Sequence, residues 1–327
     1  MKKEFLEILC CPKSRQKLVF EKSNSKIDNT INSGTLKTAD GNYVYHVENG
    51  IPRFVQKNNY ADSFGMQWNL YSKTQLDSYS GFDISAKRFW SATGWSVKEL
   101  KDKWVLDVGC GSGRFAEIAL NAGAKVVALD YSSAVDACKN NFKNHNNLYV
   151  VQGNIFELPF DLDTFSFVYS LGVLQHTPDP EKAFKSIPEV LKKGGGICVD
   201  YYEKSFKSML LPKYWLRPIT KKIPRDTLFG FLRKVTPFLL SCSNFIGKFP
   251  LIGSLLKRII PVANYNGILP LSQKQQLEWS LLDTFDWLSP EHDHPQTQKT
   301  IKIWMEEVGL RDIEILKAGH LVARGRK

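Results

Sequence analysis

Long apolar runs are missing from these 327 residues. Nowhere do about 18 uncharged apolar residues follow one another, the length a spanning helix needs. Cysteine is scarce, six in all with only Cys10 and Cys11 close together, so no disulfide framework is expected and a reducing cytoplasm fits best. The start, Met1-Lys2-Lys3-Glu4, places an acid among its cations, and Cys10-Cys11-Pro12 stands where an apolar core should run. A signal peptide is therefore not expected. Internal repeats and low-complexity tracts are also absent. With 43% hydrophobic and 24% charged residues, the composition excludes a disordered, collagenous or purely coiled-coil chain.

Acidic residues are nearly absent from one segment. Between Lys204 and Tyr265 twelve Lys/Arg face a single acid, Asp226, while the rest of the chain carries 32 of each sign. The whole net charge of +11 therefore sits in one insert. A domain-wide nucleic-acid surface would spread its charge more widely, so nucleic acid is not the expected partner.

What is present reads as four parts. Residues 1–58 are turn-rich (Asn24–Asn29, Ser33-Gly34) with short β-prone runs at Lys17–Glu21, Tyr43–Val47 and Pro52–Val55. Residues 59–102 read as helical and aromatic. Residues 103–203 with 266–327 form the main domain, and 204–265 a basic helical insert or substrate lid. In the main domain short apolar runs alternate with helical ones: strands at Trp104–Val108, Lys125–Asp130, Leu148–Gln152, Phe165–Ser170 and Ile197–Tyr201, and helices at Arg114–Ala122, Ala134–Asn144 and from Pro180. That alternation predicts an α/β fold with a doubly wound, mostly parallel sheet. A helix over Gln296–Val308 and runs at Asp312–Lys317 and His320–Gly325 suit an antiparallel edge hairpin at the C-terminus.

Asp107-Val108-Gly109-Cys110-Gly111-Ser112-Gly113-Arg114 follows a strand and opens a helix. Glycines there let the backbone turn sharply and approach a ligand closely. The dinucleotide fingerprint G-x-G-x-x-G needs its third glycine at position 114, which is Arg114, so a nicotinamide oxidoreductase is disfavoured. Asp130 ends the next strand, where a carboxylate can accept both hydroxyls of a ribose. Gln152-Gly153-Asn154-Ile155, Ser170-Leu171 through His176-Thr177, and Lys192 through Gly196 to Asp200 follow in order.

In that order these stretches resemble the motifs of class I S-adenosylmethionine-dependent methyltransferases (methyltransferase type 11-like), across residues 104–203. The resemblance implies a Rossmann-like methyltransferase sheet and S-adenosyl-L-methionine as cofactor. It assigns to that cofactor Asp107, Gly109, Cys110, Gly111, Gly113, Asp130, Tyr131, Asn154, Ile155 and Leu171. In the family the acid before the loop lies near the cofactor's ammonium group. Asn154 stands where the family usually has an Asp for the adenine amino group, a task an amide oxygen can also perform.

Leu6 through Ser14 and Tyr45 through Pro52 resemble the small zinc-ribbon-like domain of the methyltransferase-activator family. Ser14 occupies the place of a second zinc cysteine, and no cysteine lies between Cys11 and Cys110. Cys10, Cys11 and His46 could supply three ligands where a structural site wants four, so no metal is expected and the module reads as degenerate.

Two histidines are candidate catalytic residues. His176 sits where cofactor and acceptor should meet, and His292 lies in Glu291-His292-Asp293-His294, where imidazoles beside acids could accept a proton. For the loop around His292 the plainer reading is an N-capping turn, with Thr297 as cap. The insert's plainer reading is a helical cap that buries its apolar clusters and solvates its lysines. Its sharper reading is peripheral contact with an anionic membrane, which would place the protein at the inner membrane face.

The expected activity is methyl transfer to a small-molecule, carbohydrate-like or lipid-linked acceptor, on oxygen. Base methylation is disfavoured, since neither Asn/Asp-Pro-Pro-aromatic nor a Pro-Cys pair occurs. The rival reading is a non-catalytic, cofactor-binding partner protein of a methyltransferase complex.

Overall fold

A computed structural model describes residues 1–22, 31–56, 59–249 and 252–327. The turn expected at Asn24–Asn29 lies outside the described residues. Strand formation is clearest at Trp104–Val108, where Val105 and Leu106 are fully buried because helices cover both faces of the sheet. Each such side chain stabilises the fold by about 1.5–3 kcal/mol.

In chain order the strands are β1 (Leu18–Lys22), β2 (Gly34–Thr38), β3 (Val44–Glu48), β4 (Ile51–Arg53), β5 (Trp104–Val108), β6 (Lys125–Asp130), β7 (Leu148–Gln152), β8 (Phe165–Ser170), β9 (Leu191–Tyr201), β10 (Arg311–Ala318) and β11 (His320–Arg326). They form one 11-stranded sheet in the order β1-β2-β3-β4-β7-β6-β5-β8-β9-β11-β10. From β7 to β9 every pairing is parallel. β11 pairs antiparallel with β9, and β10 with β11. The doubly wound sheet and its C-terminal edge hairpin are as expected from the sequence.

The N-terminal strands extend this sheet. β1 to β4 pair antiparallel in sequence, and β4 joins β7 in parallel through Arg53 and Gln152. Phe5, Leu9, Leu18 and Leu36 share one core with Leu106 and Val168 of the central strands. Strand β2 begins at the Gly34 that the sequence suggested as a turn. β9 also starts earlier than expected, at Leu191, with Gly194 left-handed (φ 74°) and the register to β8 shifting over Phe165/Phe167.

Caps explain where the helices begin. Asp179 accepts from Lys182 N ahead of helix Pro180–Val190, with Pro180 in the first turn. Thr297 accepts from Thr300 N ahead of helix Gln298–Glu307, the capping role expected of it. Residues 59–102 form four short helices, Asp62–Leu70, Asp77–Ser80, Ile84–Thr93 and Val97–Leu100. Helices Pro212–Thr220 and Arg225–Ile246 dominate the insert. Leu228, Phe229 and Leu232 pack against Leu281, Phe285 and Leu288 of helix Gln273–Leu288, which had no clear signal in the sequence. Among the described residues, no helix is long and apolar enough to cross a membrane.

Candidate active site

The order of the parallel strands reverses between β5 and β8, the point where open α/β sheets bind ligands beyond the carboxyl ends of their strands. Two loops meet there. Residues 109–113 leave β5, and Gly109 N and Cys110 N both donate to the Leu129 carbonyl at 2.7 and 2.9 Å, folding the loop over the end of β6. Residues 171–173 leave β8 and reach the same point. Gly109 is left-handed (φ 82°), and a Cβ there would lie 2.4 Å from a methyl of Val173. That glycine is required by the packing of two loops, before any ligand is considered. Gly113, also left-handed, faces inward, where a Cβ would strike the Phe142 ring at 2.6 Å.

Asp130 ties the loop down. Its Oδ2 accepts from Gly111 N at 2.9 Å, and its Oδ1 from Ser132 N and Oγ at 2.8 and 2.7 Å. Burial pushes its carboxyl above the usual range, against these hydrogen bonds. Asp130 therefore meets any ribose already engaged with the backbone, so a ligand hydroxyl shares it with loop donors.

The loops open into a cavity of about 900 Å³. Of the residues expected at the cofactor, Gly109, Cys110, Gly111, Asp130, Tyr131, Ile155 and Leu171 line it. Asp107, Gly113 and Asn154 are not on its wall. The Asn154 side-chain oxygen accepts from Phe156 N at 3.1 Å, so it shapes its own loop. Asp107 is buried in β5, where burial pushes its carboxyl up to about 8, and its Oδ2 has no hydrogen-bond partner. The hydroxyl of Ser112, on the cavity wall, is likewise buried without a partner. Buried polar atoms normally find partners. A polar ligand seated on the glycine loop suits the unpartnered Ser112 hydroxyl and the left-handed cradle beside it, so the residues present fit S-adenosylmethionine.

The two candidate histidines part company. His176 lines the cavity from the turn Leu174–His176, with its ring against Phe64 and Tyr202 at 5.4 and 5.5 Å. Its Nδ1 lies 3.1 Å from the His292 carbonyl oxygen, and its Nε2 is buried without a partner. A carbonyl can only accept, so Nδ1 carries the proton and Nε2 presents a lone pair. Burial lowers its pKa to about 4, which keeps the ring neutral near pH 7. The His292 ring lies off the cavity wall, stacked on His294 at 5.8 Å and edge-on to Tyr60. The His292 carbonyl, and the 2.8 Å bond from His294 N to the Gln175 carbonyl, dock the loop on the His176 turn.

The far half of the cavity was not legible in the sequence. Helix Gln273–Leu288 presents Trp279, Asp283 and Asp286 to it, and the insert adds Lys213 and Tyr214. Asp283 is occupied, accepting from Gln75 Nε2 at 3.0 Å and from the Tyr265 hydroxyl. Asp286 makes no hydrogen bond, and burial beside Asp283 pushes its carboxyl up to about 7. Lys213 is buried, bonded to Asp293 at 3.4 Å and set 4.1 Å from the centre of the Tyr202 ring. The signal for these residues was present only as periodicity: Trp279, Asp283 and Asp286 fall on one helical face.

In the N-terminal part, the Cys11 sulfur lies 3.1 Å from the Tyr45 hydroxyl and 3.4 Å from Ser14 N, while His46 is exposed on β3. Among the described residues no cluster of three or more His, Cys, Asp or Glu could hold a metal.

Residues 106–199 match the family described as "Methyltransferase domain". The ubiquinone biosynthesis O-methyltransferase of Coxiella burnetii is 31% identical over 130 residues, 39% of this chain and 56% of that one. The tRNA U34 carboxymethyltransferase of Shewanella baltica is 34% identical over 116 residues, 34% of this chain and 35% of that one. The chain thus spans about half the length of the first relative and a third of the second. Among solved structures, human N-acetylserotonin methyltransferase in complex with S-adenosylmethionine overlays with a TM-score of 0.44 at 15% identity, covering 83% of this chain and 63% of that one. Residues 106–199 thus match a methyltransferase domain.

Proposed function

We propose that the protein is an S-adenosylmethionine-dependent methyltransferase acting on an oxygen of a polar small-molecule, carbohydrate-like or lipid-linked acceptor. One observation carries the reading: a single cavity joins the glycine loop of the methyltransferase domain to a compartment lined by Asp286 and by His176, whose Nε2 has no hydrogen-bond partner. When bound, the cofactor supplies a methyl group already activated on a sulfonium. The chain's own task is then to align the acceptor, exclude water and take a proton. Gly109, Gly111 and Asp130 hold the cofactor end. At the other end Lys213 and Asp286 offer a donor and an acceptor, suited to a hydroxyl-rich acceptor rather than an apolar one. His176 Nε2 and the Asp286 carboxylate are two groups able to accept the hydroxyl proton. The O-methyltransferase named among the relatives favours oxygen as the atom modified.

The test is incubation with S-adenosylmethionine labelled in its methyl group and fractionated cell extract. Transfer of label to a polar or lipid-linked hydroxyl supports the proposal, and label on nitrogen or on RNA overturns the acceptor assignment. Calorimetric binding of the cofactor with no transfer to any fraction would favour the non-catalytic partner instead.

A further inference from the structure

The insert exposes its apolar side chains. Among the described residues, thirteen of the twenty-four exposed large apolar side chains fall within its 62 residues. This runs against the expectation of a cap that hides its apolar face.

Two helices show how. In helix Arg225–Ile246, Leu228, Leu232 and Thr236 face inward toward the helix behind. On the opposite side Phe231, Phe238 and Phe245 repeat every seven residues, 59%, 69% and 64% exposed. Lys234 is exposed on the same side, three residues after Phe231 and four before Phe238. Helix Pro212–Thr220 is inverted. Lys213 and Arg217 are buried within it, Arg217 Nη1 bonding Asp293 at 2.5 Å, while Trp215 and Ile219 stand 62% and 66% exposed. Burying cations and exposing a tryptophan is the reverse of what water alone selects.

We infer that this face of the insert docks on the surface of a bilayer containing anionic phospholipid. Charge complementarity selects the occupant: the segment holds twelve Lys/Arg and one acid, and Lys221, Lys222, Arg233, Lys234, Lys248 and Arg258 are exposed beside the apolar side chains. Aromatic and aliphatic side chains flanked by cations suit the headgroup–acyl boundary, where rings are buried and cations remain among phosphates. A protein partner of ordinary composition would bring no such excess of negative charge. Docking would also place the cavity near its acceptor, because Leu211, Lys213 and Tyr214 of the insert line the cavity wall. The inference stands independently of methyl transfer, since lipid binding is read without turnover.

The test is flotation of the intact protein with vesicles of phosphatidylglycerol and phosphatidylcholine, against pure phosphatidylcholine, at low and high salt. The protein should float with the anionic vesicles at low salt and be released as salt rises. Combined Phe231→Ser, Phe238→Ser and Phe245→Ser should reduce the bound fraction roughly tenfold, as should Lys221→Glu with Lys222→Glu. Calorimetric affinity for S-adenosylhomocysteine should be unchanged in both, which shows that they fold. If the triple variant does not fold, Trp215→Ser serves in its place. Absence of wild-type flotation at low salt, or variants floating as wild type does, overturns the inference. So does a dimer in size-exclusion chromatography that the phenylalanine changes dissolve, or binding to RNA in preference to vesicles.

Discussion

His292 orients His176 through its main chain: the carbonyl oxygen of one lies 3.1 Å from Nδ1 of the other, 116 residues apart in sequence. The contact fixes the tautomer of a buried imidazole and leaves its Nε2 without a hydrogen-bond partner.

His176 should make the fold sensitive to mild acid. Its pKa is lowered from 6.5 to about 4 by burial. Between those values the unfolded chain binds a proton that the folded one refuses, so stability is lost as pH falls through that window. Urea midpoints of His176→Gln should decline less than those of the wild type from pH 6.5 to 4, by up to roughly 3 kcal/mol. In turnover His176→Gln should lose roughly 10²–10⁴-fold if Nε2 takes the proton, whereas His292→Ala should retain most activity. Parallel urea curves for wild type and His176→Gln would contradict the lowered pKa.

Asp286 should act with the opposite sign. Its carboxyl is pushed from 3.8 up to about 7, so between those values the folded state keeps a proton that the unfolded state has released. Stability then falls as pH rises. Asp286→Asn should stabilise the protein at pH 8 by roughly 1–3 kcal/mol, with the gain vanishing near pH 4. If Asp286 is the base, the rise in kcat/KM through pH 7 should vanish in this variant. Chemical denaturation and a pH–rate profile check the two halves separately.

Gly109→Val should destabilise the fold as well as weaken cofactor binding. A left-handed residue with a side chain costs about 1–2 kcal/mol, and crowding Val173 adds roughly 1–3. Because the nearest obstacle is the Val173 side chain at 2.4 Å, Val173→Ala should recover part of the lost melting temperature. Lost affinity for S-adenosylhomocysteine with an unaltered melting temperature would place the valine in the ligand's path alone.

Asp293 holds the insert to the catalytic domain. Its carboxylate meets both Lys213 and Arg217, and all three side chains are buried. Asp293→Ala leaves two cations unpaired and should cost about 3–5 kcal/mol in denaturant unfolding. Asp293→Ala with Arg217→Met should recover part of it, because packing replaces a stranded charge.

The central sheet and the cofactor loop were legible in the sequence because both are local. Strand β6 is an apolar run of six residues ending in Asp130, and the loop after β5 declares itself by glycines at fixed spacing. Backbone physics writes such signals within a few residues. The fates of Asp107, Asn154 and His292 were not local. Asn154 turned its amide oxygen to Phe156 N, and His292 gave a carbonyl where its ring was expected, since burial and loop docking choose which atom of a residue faces the ligand. The far half of the cavity depended still more on tertiary structure. Asp286, Lys213 and His176 lie far apart in the chain, and only the packing of the insert and helix Gln273–Leu288 over the sheet brings them onto one cavity wall. The sequence by itself determined the class of fold and the seat of the cofactor. Tertiary burial decided which groups keep or lose a proton, and it left the phenylalanines of a basic helix facing outward, because Leu228, Leu232 and Thr236 took the inner face.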